Sequence, residues 1–146
     1  MTDKVKPVPD GYPSLTPYMI FKDASAAIEF YKKAFGATET LRITYSDGRI
    51  RHAEIRIGTS PMMIVDETVK YPELQSAQSL SGSPVQLYFY TEDVDALAER
   101  AVAAGAKLIA PIKDAEDGDR RGGLEDPFGY TWWIASRFKE VAPEDL

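Results

Sequence analysis

Apolar and polar positions along this chain follow one programme, and the programme runs twice. From Leu15 to Phe21 apolar and aromatic residues dominate, ending at Lys22-Asp23, which predicts a strand and then a helix start. Asp23 suits the N-cap, because its carboxylate can accept from the free amides of the first turn. Ala27, Ile28, Tyr31 and Phe35 then fall three and four apart, giving one apolar helix face over Ala24 to Phe35. Gly36 stops this helix as a C′ glycine does. Glu39 to Tyr45 reads as a strand, Asp47-Gly48 as a hairpin turn, and Arg51 to Ile57 as a clean alternation. There Ala53, Ile55 and Ile57 face one way, and His52, Glu54 and Arg56 the other. Gly58 to Ser60 turns the chain, and Pro61 to Val65 makes a fourth strand. The order is βαβββ.

The second run keeps that order. Val85 to Thr91 is a strand, Asp93 to Ala104 a helix that Gly105 ends, and Lys107 to Ile112 a strand. A charged loop is expected from Lys113 to Arg121, a short strand before Asp126, and a last strand from Tyr130 to Ser136. Asp126-Pro127-Phe128-Gly129 is turn chemistry, since proline fixes φ and glycine allows positive φ. Thr16 matches Gln86 and Asp23 matches Asp93, an offset of 70 each time (86 − 16 and 93 − 23). Two half-domains on one plan cannot bury their sheets separately, so the site is expected where they meet. The reading is one α+β domain over residues 14–138, with modules 14–68 and 83–138 and a polar, serine-rich linker, 69–82. Residues 1–13 and 139–146 read as tails.

Composition narrows the function. The 146 residues suffice for a sizeable core, and 44% hydrophobic with 27% charged residues is ordinary for a soluble protein. No run of 18 apolar residues exists, so no membrane span is expected, and the N-terminus lacks a signal-peptide pattern. With no cysteine, disulfides, thiolate catalysis and cysteine-type zinc sites are excluded, which fits a cytoplasmic protein. The net charge of −6 and the dispersed basic residues argue against nucleic acid as a partner.

The paired βαβββ pattern, with TPYMIF, AIEFYKKAFGA, RHAEIRIG, EDVDALAERAVAAGAK and DPFGYTWWIAS, resembles the vicinal oxygen chelate superfamily. That superfamily includes glyoxalase I, bleomycin-resistance proteins and extradiol dioxygenases, and the PhnB-like branch is the most similar. The resemblance implies that each module curls a mixed sheet into a cup and that the cups enclose a cavity, often within a homodimer. It also implies four metal-ligand positions, which fall here at Thr16, Met63, Gln86 and Trp133, again 70 apart in pairs (86 − 16 and 133 − 63). Only Gln86 offers a plausible ligand, and a glutamine carbonyl is a weak one. Met63 carries a soft thioether, Trp133 no lone pair in its ring plane, and an open metal site needs about three protein ligands. The inherited metal site reads as lost, so no cofactor is expected.

His52 and Glu54 leave a divalent metal open. They share a strand face opposite Ala53, Ile55 and Ile57, so they should point into the cup. Three readings stand: a His–Glu hydrogen bond without chemistry, ligand recognition, or a metal or general-base role. Strand parity adds Tyr18, Met63, Gln86, Tyr88, Tyr90 and Trp133 to the cavity wall. Met19, Phe21, Leu87, Phe89, Trp132 and Ile134 should lie under the helices. Rings with polar tips suit a flat organic molecule. Arg120 and Arg121 read as an exposed loop, with clamping of an anionic group as the second reading. The functional expectation is a small-molecule-binding protein, the alternative a metal-dependent lyase, isomerase or dioxygenase using His52, Glu54 and Gln86. Whether it is an enzyme stays open at this point.

Overall fold

Two carboxylates start the first helix. In the computed structural model, which describes residues 4–146, Asp23 Oδ1 accepts from the Ala26 amide at 3.1 Å. Asp66 Oδ1 accepts from the Ala24 amide at 2.7 Å, satisfying a second of the four unpaired donors at the helix start. The second module repeats both contacts with Asp93 on Ala96 and Ser136 on Val94, each partner 70 residues on. Residues 1–3 of the expected N-terminal tail lie outside the described residues.

The first module contains β1 (Tyr18–Phe21), α1 (Ala24–Phe35), β2 (Thr38–Thr44), β3 (Ile50–Ile57) and β4 (Ser60–Asp66). After a short helix, α2 (Ala77–Leu80), come β5 (Leu87–Tyr90), α3 (Val94–Ala104), β6 (Lys107–Asp114), β7 (Asp119–Glu125) and β8 (Thr131–Arg137). The sheets run β1-β4-β3-β2 and β5-β8-β7-β6, with one parallel pair in each. Register is conserved across the duplication. Tyr18 pairs with Met63 as Tyr88 pairs with Trp133, both partners 70 apart.

Three boundaries differ from the sequence reading. The first strand of each module begins at Tyr18 and Leu87, leaving Thr16 and Gln86 just before it. The linker contains α2, whose N-cap Ser76 accepts from the Ser79 amide. The expected charged loop is a hairpin: β6 runs to Asp114 and β7 starts at Asp119, so Arg120 and Arg121 are strand residues. The glycine pair in β7 hid the strand, because glycine weakens a strand pattern. Gly118 sits in this turn at φ +92°, and a Cβ there would strike the Lys139 carbonyl.

One ring-rich core serves both modules. Tyr31 and Phe35 of α1 meet Trp132 of β8 at centroid distances of 5.4 and 4.8 Å. Phe21 of β1 meets Phe128 and Tyr130 of the second module at 5.5 and 5.3 Å. Met19, Phe21, Trp132 and Ile134 are buried, and Leu87 and Phe89 pack against the core, as strand parity requires. Burying each such large apolar side chain favours folding by about 1.5–3 kcal/mol, so neither module keeps its core without the other. No helix among the described residues is long and apolar enough to cross a membrane.

Candidate functional site

The face of each sheet turned away from the core carries the chemistry. On β3, Ala53, Ile55 and Ile57 are buried, while His52 and Glu54 are half-buried on the other side. Glu54 pairs across to Met63 on one neighbour and Leu41 on the other, so Tyr18, Met63, Glu54 and Leu41 form a row across the sheet. His52 Nε2 lies 2.7 Å from Glu54 Oε2. The pair fixes one ring nitrogen of the only histidine to a carboxylate that the sheet holds in place. Beyond it, Val65 and Tyr18 line a hollow of about 320 Å³ closed from the linker side by Tyr71 and Leu74.

The second sheet carries a denser arrangement. Asp119 at the start of β7 is 2% exposed, and its Oδ2 accepts from the Tyr88 and Tyr90 hydroxyls at 2.6 and 2.7 Å. Its Oδ1 accepts from Arg137 Nε at 3.0 Å. Burial opposes ionisation of Asp119, but these donors outweigh it and hold the carboxyl below the usual range. Arg121 Nη1 donates to the Tyr88 oxygen at 3.1 Å and to Asp117 at 2.8 Å, and Arg137 donates to Tyr90 at 3.2 Å. Burial and the Asp119 hydrogen bond push the Tyr88 phenol up to about 12. The Tyr88 phenol therefore stays neutral, and both hydroxyls are tied at their tips to Asp119. Their rings, 45% and 51% exposed, lie 5.1 Å apart and form an open platform.

The four inherited metal positions do not fit a metal. Trp133 Nε1 donates to the Gln86 carbonyl oxygen at 2.7 Å, so the one amide oxygen of the set already accepts from another member, and a thioether, an indole and a neutral hydroxyl make up the rest. Gly123 on β7 makes room for that ring, since a Cβ there would come within 2.9 Å of Trp133. Among the described residues no three of His, Cys, Asp and Glu come together as a metal-ligand group. Gln86 bonds within the second sheet, whereas His52 and Glu54 bond within the first.

Tyr18, Met63 and Glu54 share one face of the first sheet, and Tyr88, Tyr90 and Trp133 one face of the second; in one chain these rings stand open, with Tyr18 47% exposed. Asp119, Arg137 and Gly123 are additions that the sequence reading missed. Reading Asp119–Glu125 as a strand would have set Asp119, Arg121 and Gly123 on one face, without revealing the partners that meet there.

The matched family model, the glyoxalase/bleomycin resistance protein/dioxygenase superfamily, covers residues 15–134, and the chain belongs to that superfamily. Its sequence is 36% identical over 136 residues to an uncharacterized protein of Mycobacterium tuberculosis, Rv0887c, covering 92% of this chain and 80% of that one. It is 30% identical over 126 residues to the uncharacterized Arabidopsis thaliana protein At5g48480, covering 82% and 75%. The crystal structure of TioX from Micromonospora sp. ML1 superimposes with a TM-score of 0.67 at 25% identity, covering 86% of this chain and 99% of TioX. A PhnB protein from Bacillus cereus, at 18% identity and a TM-score of 0.66, shares the fold, covering 85% and 99%.

Proposed function

We propose that this chain is a small-molecule-binding protein, similar to bleomycin-resistance proteins and of the PhnB-like branch, that works without the inherited metal. Its ligand is aromatic or amphipathic, and a second copy of the chain completes the cup. The observation that carries the reading is the Trp133–Gln86 hydrogen bond, which ties the one amide oxygen among the four inherited positions to another member of the set. The open rings of Tyr88 and Tyr90 support a stacking ligand, and the large exposed rings support a covering partner.

Isothermal titration with manganese, nickel and zinc tests the reading. No stoichiometric uptake is expected. Tight one-to-one binding that is lost in Gln86→Ala or His52→Ala would overturn it. Light scattering should return twice the 16.2 kDa of one chain, and a monomer at micromolar concentration would remove the shared cup.

The His52–Glu54 pair favours a second reading, a metal-dependent lyase, isomerase or dioxygenase using His52, Glu54 and Gln86. A carboxylate that orients a histidine is the arrangement a general base needs. Under this reading Glu54→Gln abolishes a metal-dependent turnover without changing the thermal midpoint. A substrate screen in which that variant matches the parent protein dismisses it.

A further inference from the structure

A cleft distinct from the two platforms lies between strand edges that have no partner strand. β1 bonds only β4 and β5 bonds only β8, so each leaves an edge unpaired within its sheet. A hollow of about 260 Å³ opens between these edges. Met19 and Ala77, both buried, and Leu87 form its apolar inner wall. Leu80 of α2 and Val85, 58% and 68% exposed, stand at its rim.

Its polar groups are backbone amides and carbonyls, the Gln75 amide and the Tyr18, Ser83 and Tyr130 hydroxyls, of which Ser83 and Tyr130 already donate to the Val85 and Ile20 carbonyls. In a parallel pair, alternate residues turn their N–H and C=O toward the partner strand and away from it. Pro17 and Phe21 present their carbonyls to the Met63 and Glu67 amides, on the β4 side. Tyr18 and Ile20 therefore turn theirs to the free edge. The Ile20 carbonyl there accepts from the Tyr130 hydroxyl at 2.7 Å, which leaves the Ile20 N–H on the same edge. Gln75 stands at the mouth and makes no side-chain hydrogen bond among the described residues. Every side chain lining the cleft is uncharged.

We propose that this cleft binds a small neutral molecule with one ring or short chain and one carbonyl oxygen. The apolar body lies against Met19, Ala77 and Leu87, and the oxygen accepts from the Ile20 amide or the Gln75 side chain. The volume sets the size, since pockets for drug-sized ligands begin near about 300 Å³. The lining sets the charge, because an anion would be desolvated there with no cation to meet it. A carbonyl restores the hydrogen bond that a bare hydrocarbon would forfeit. The proposal does not depend on the ligand or the dimer suggested above.

Acetophenone is the probe, titrated into the isotope-labelled full chain and followed through backbone amide shifts. Saturable shifts centred on Ile20, Ala77 and Leu87 are expected, with ethylbenzene and benzoate each binding at least about tenfold more weakly. Leu80→Asp and Val85→Glu, at exposed rim positions, should each weaken acetophenone by about tenfold or more while the remaining amide pattern is unchanged. Shifts centred on Tyr88, Tyr90 and Trp133 would overturn the cleft and favour the ring platform. Equal binding by both variants, equal binding of benzoate, or no saturation would also overturn it, leaving the metal-free reading standing.

Discussion

Tyr31 donates its hydroxyl hydrogen to Asp126 Oδ2 at 2.5 Å, from the first module's helix to the second module's D-P-F-G turn. Both residues are buried, and Trp132 Nε1 shares the same oxygen at 2.9 Å. Burial pushes the Asp126 carboxyl above its ordinary value, and burial together with Asp126 holds the Tyr31 phenol well above its own. Tyr31→Phe removes one donor and leaves the carboxylate buried. The expected cost is about 1.5–3 kcal/mol, read as a lower midpoint in urea at unchanged slope. An unchanged midpoint would mean that this hydrogen bond does not help to join the modules.

Glu67 should govern stability in acid. Hydrogen bonds from Ser76 and Ser79 lower its carboxyl from the ordinary value near 4.5 to about 2. A depressed folded value means that the ionised carboxylate favours the folded state. This contribution is complete above about 4.5 and disappears as pH falls through about 2. Glu67→Gln should therefore flatten the fall in thermal midpoint between those values. A parallel fall in both proteins counts against Glu67 as the anchor of α2.

Tyr88 gives a measurement at the other end of the scale. Its phenol is expected to ionise near about 12, a step visible in ultraviolet phenolate absorbance and missing from Tyr88→Phe. Asp119→Asn removes the negative acceptor and should bring the step down toward the ordinary value of about 10. If the step does not move, Asp119 does not set the platform's protonation.

Gly123→Ala tests the fit of the indole. A new Cβ would stand 2.9 Å from the Trp133 ring and 3.2 Å from Ile109. The ring must move, and the Gln86 hydrogen bond should break. Overpacking of this kind costs about 1–3 kcal/mol, and Trp133→Phe should suppress most of the accompanying change in tryptophan fluorescence. Identical spectra for Gly123→Ala and the parent would show that the ring has slack.

Much of this was legible in the chain. Period-two alternation around His52 and Glu54 set their shared face, and the spacing of 70 implied that both modules share one register, which the structure gives as Tyr18 with Met63 and Tyr88 with Trp133. Both follow from local backbone geometry, which a sequence carries directly. Asp119 was not legible. Its role arises from three side chains on two other strands meeting at one buried carboxylate, and no local pattern encodes that meeting. The Gln86–Trp133 bond was invisible for the same reason, since it spans 47 residues.

The start of the chain also bears on how such experiments are built. Arg56, two residues beyond Glu54 on the same face of β3, donates to the Gly11 carbonyl at 2.7 Å and stands 5.7 Å from the Tyr12 ring centroid. The N-terminal segment is thereby pinned to the sheet that carries His52. An affinity tag or reporter joined at the N-terminus would be tethered beside that open face, while the C-terminal segment leaves β8 just after Arg137, which bonds Tyr90 and Asp119, with its Phe138 and Lys139 amides held by the Gly118 carbonyl. The end chosen for a fusion therefore decides which of the two open faces has a neighbour in a binding assay, the one that carries His52 or the one that carries Tyr90.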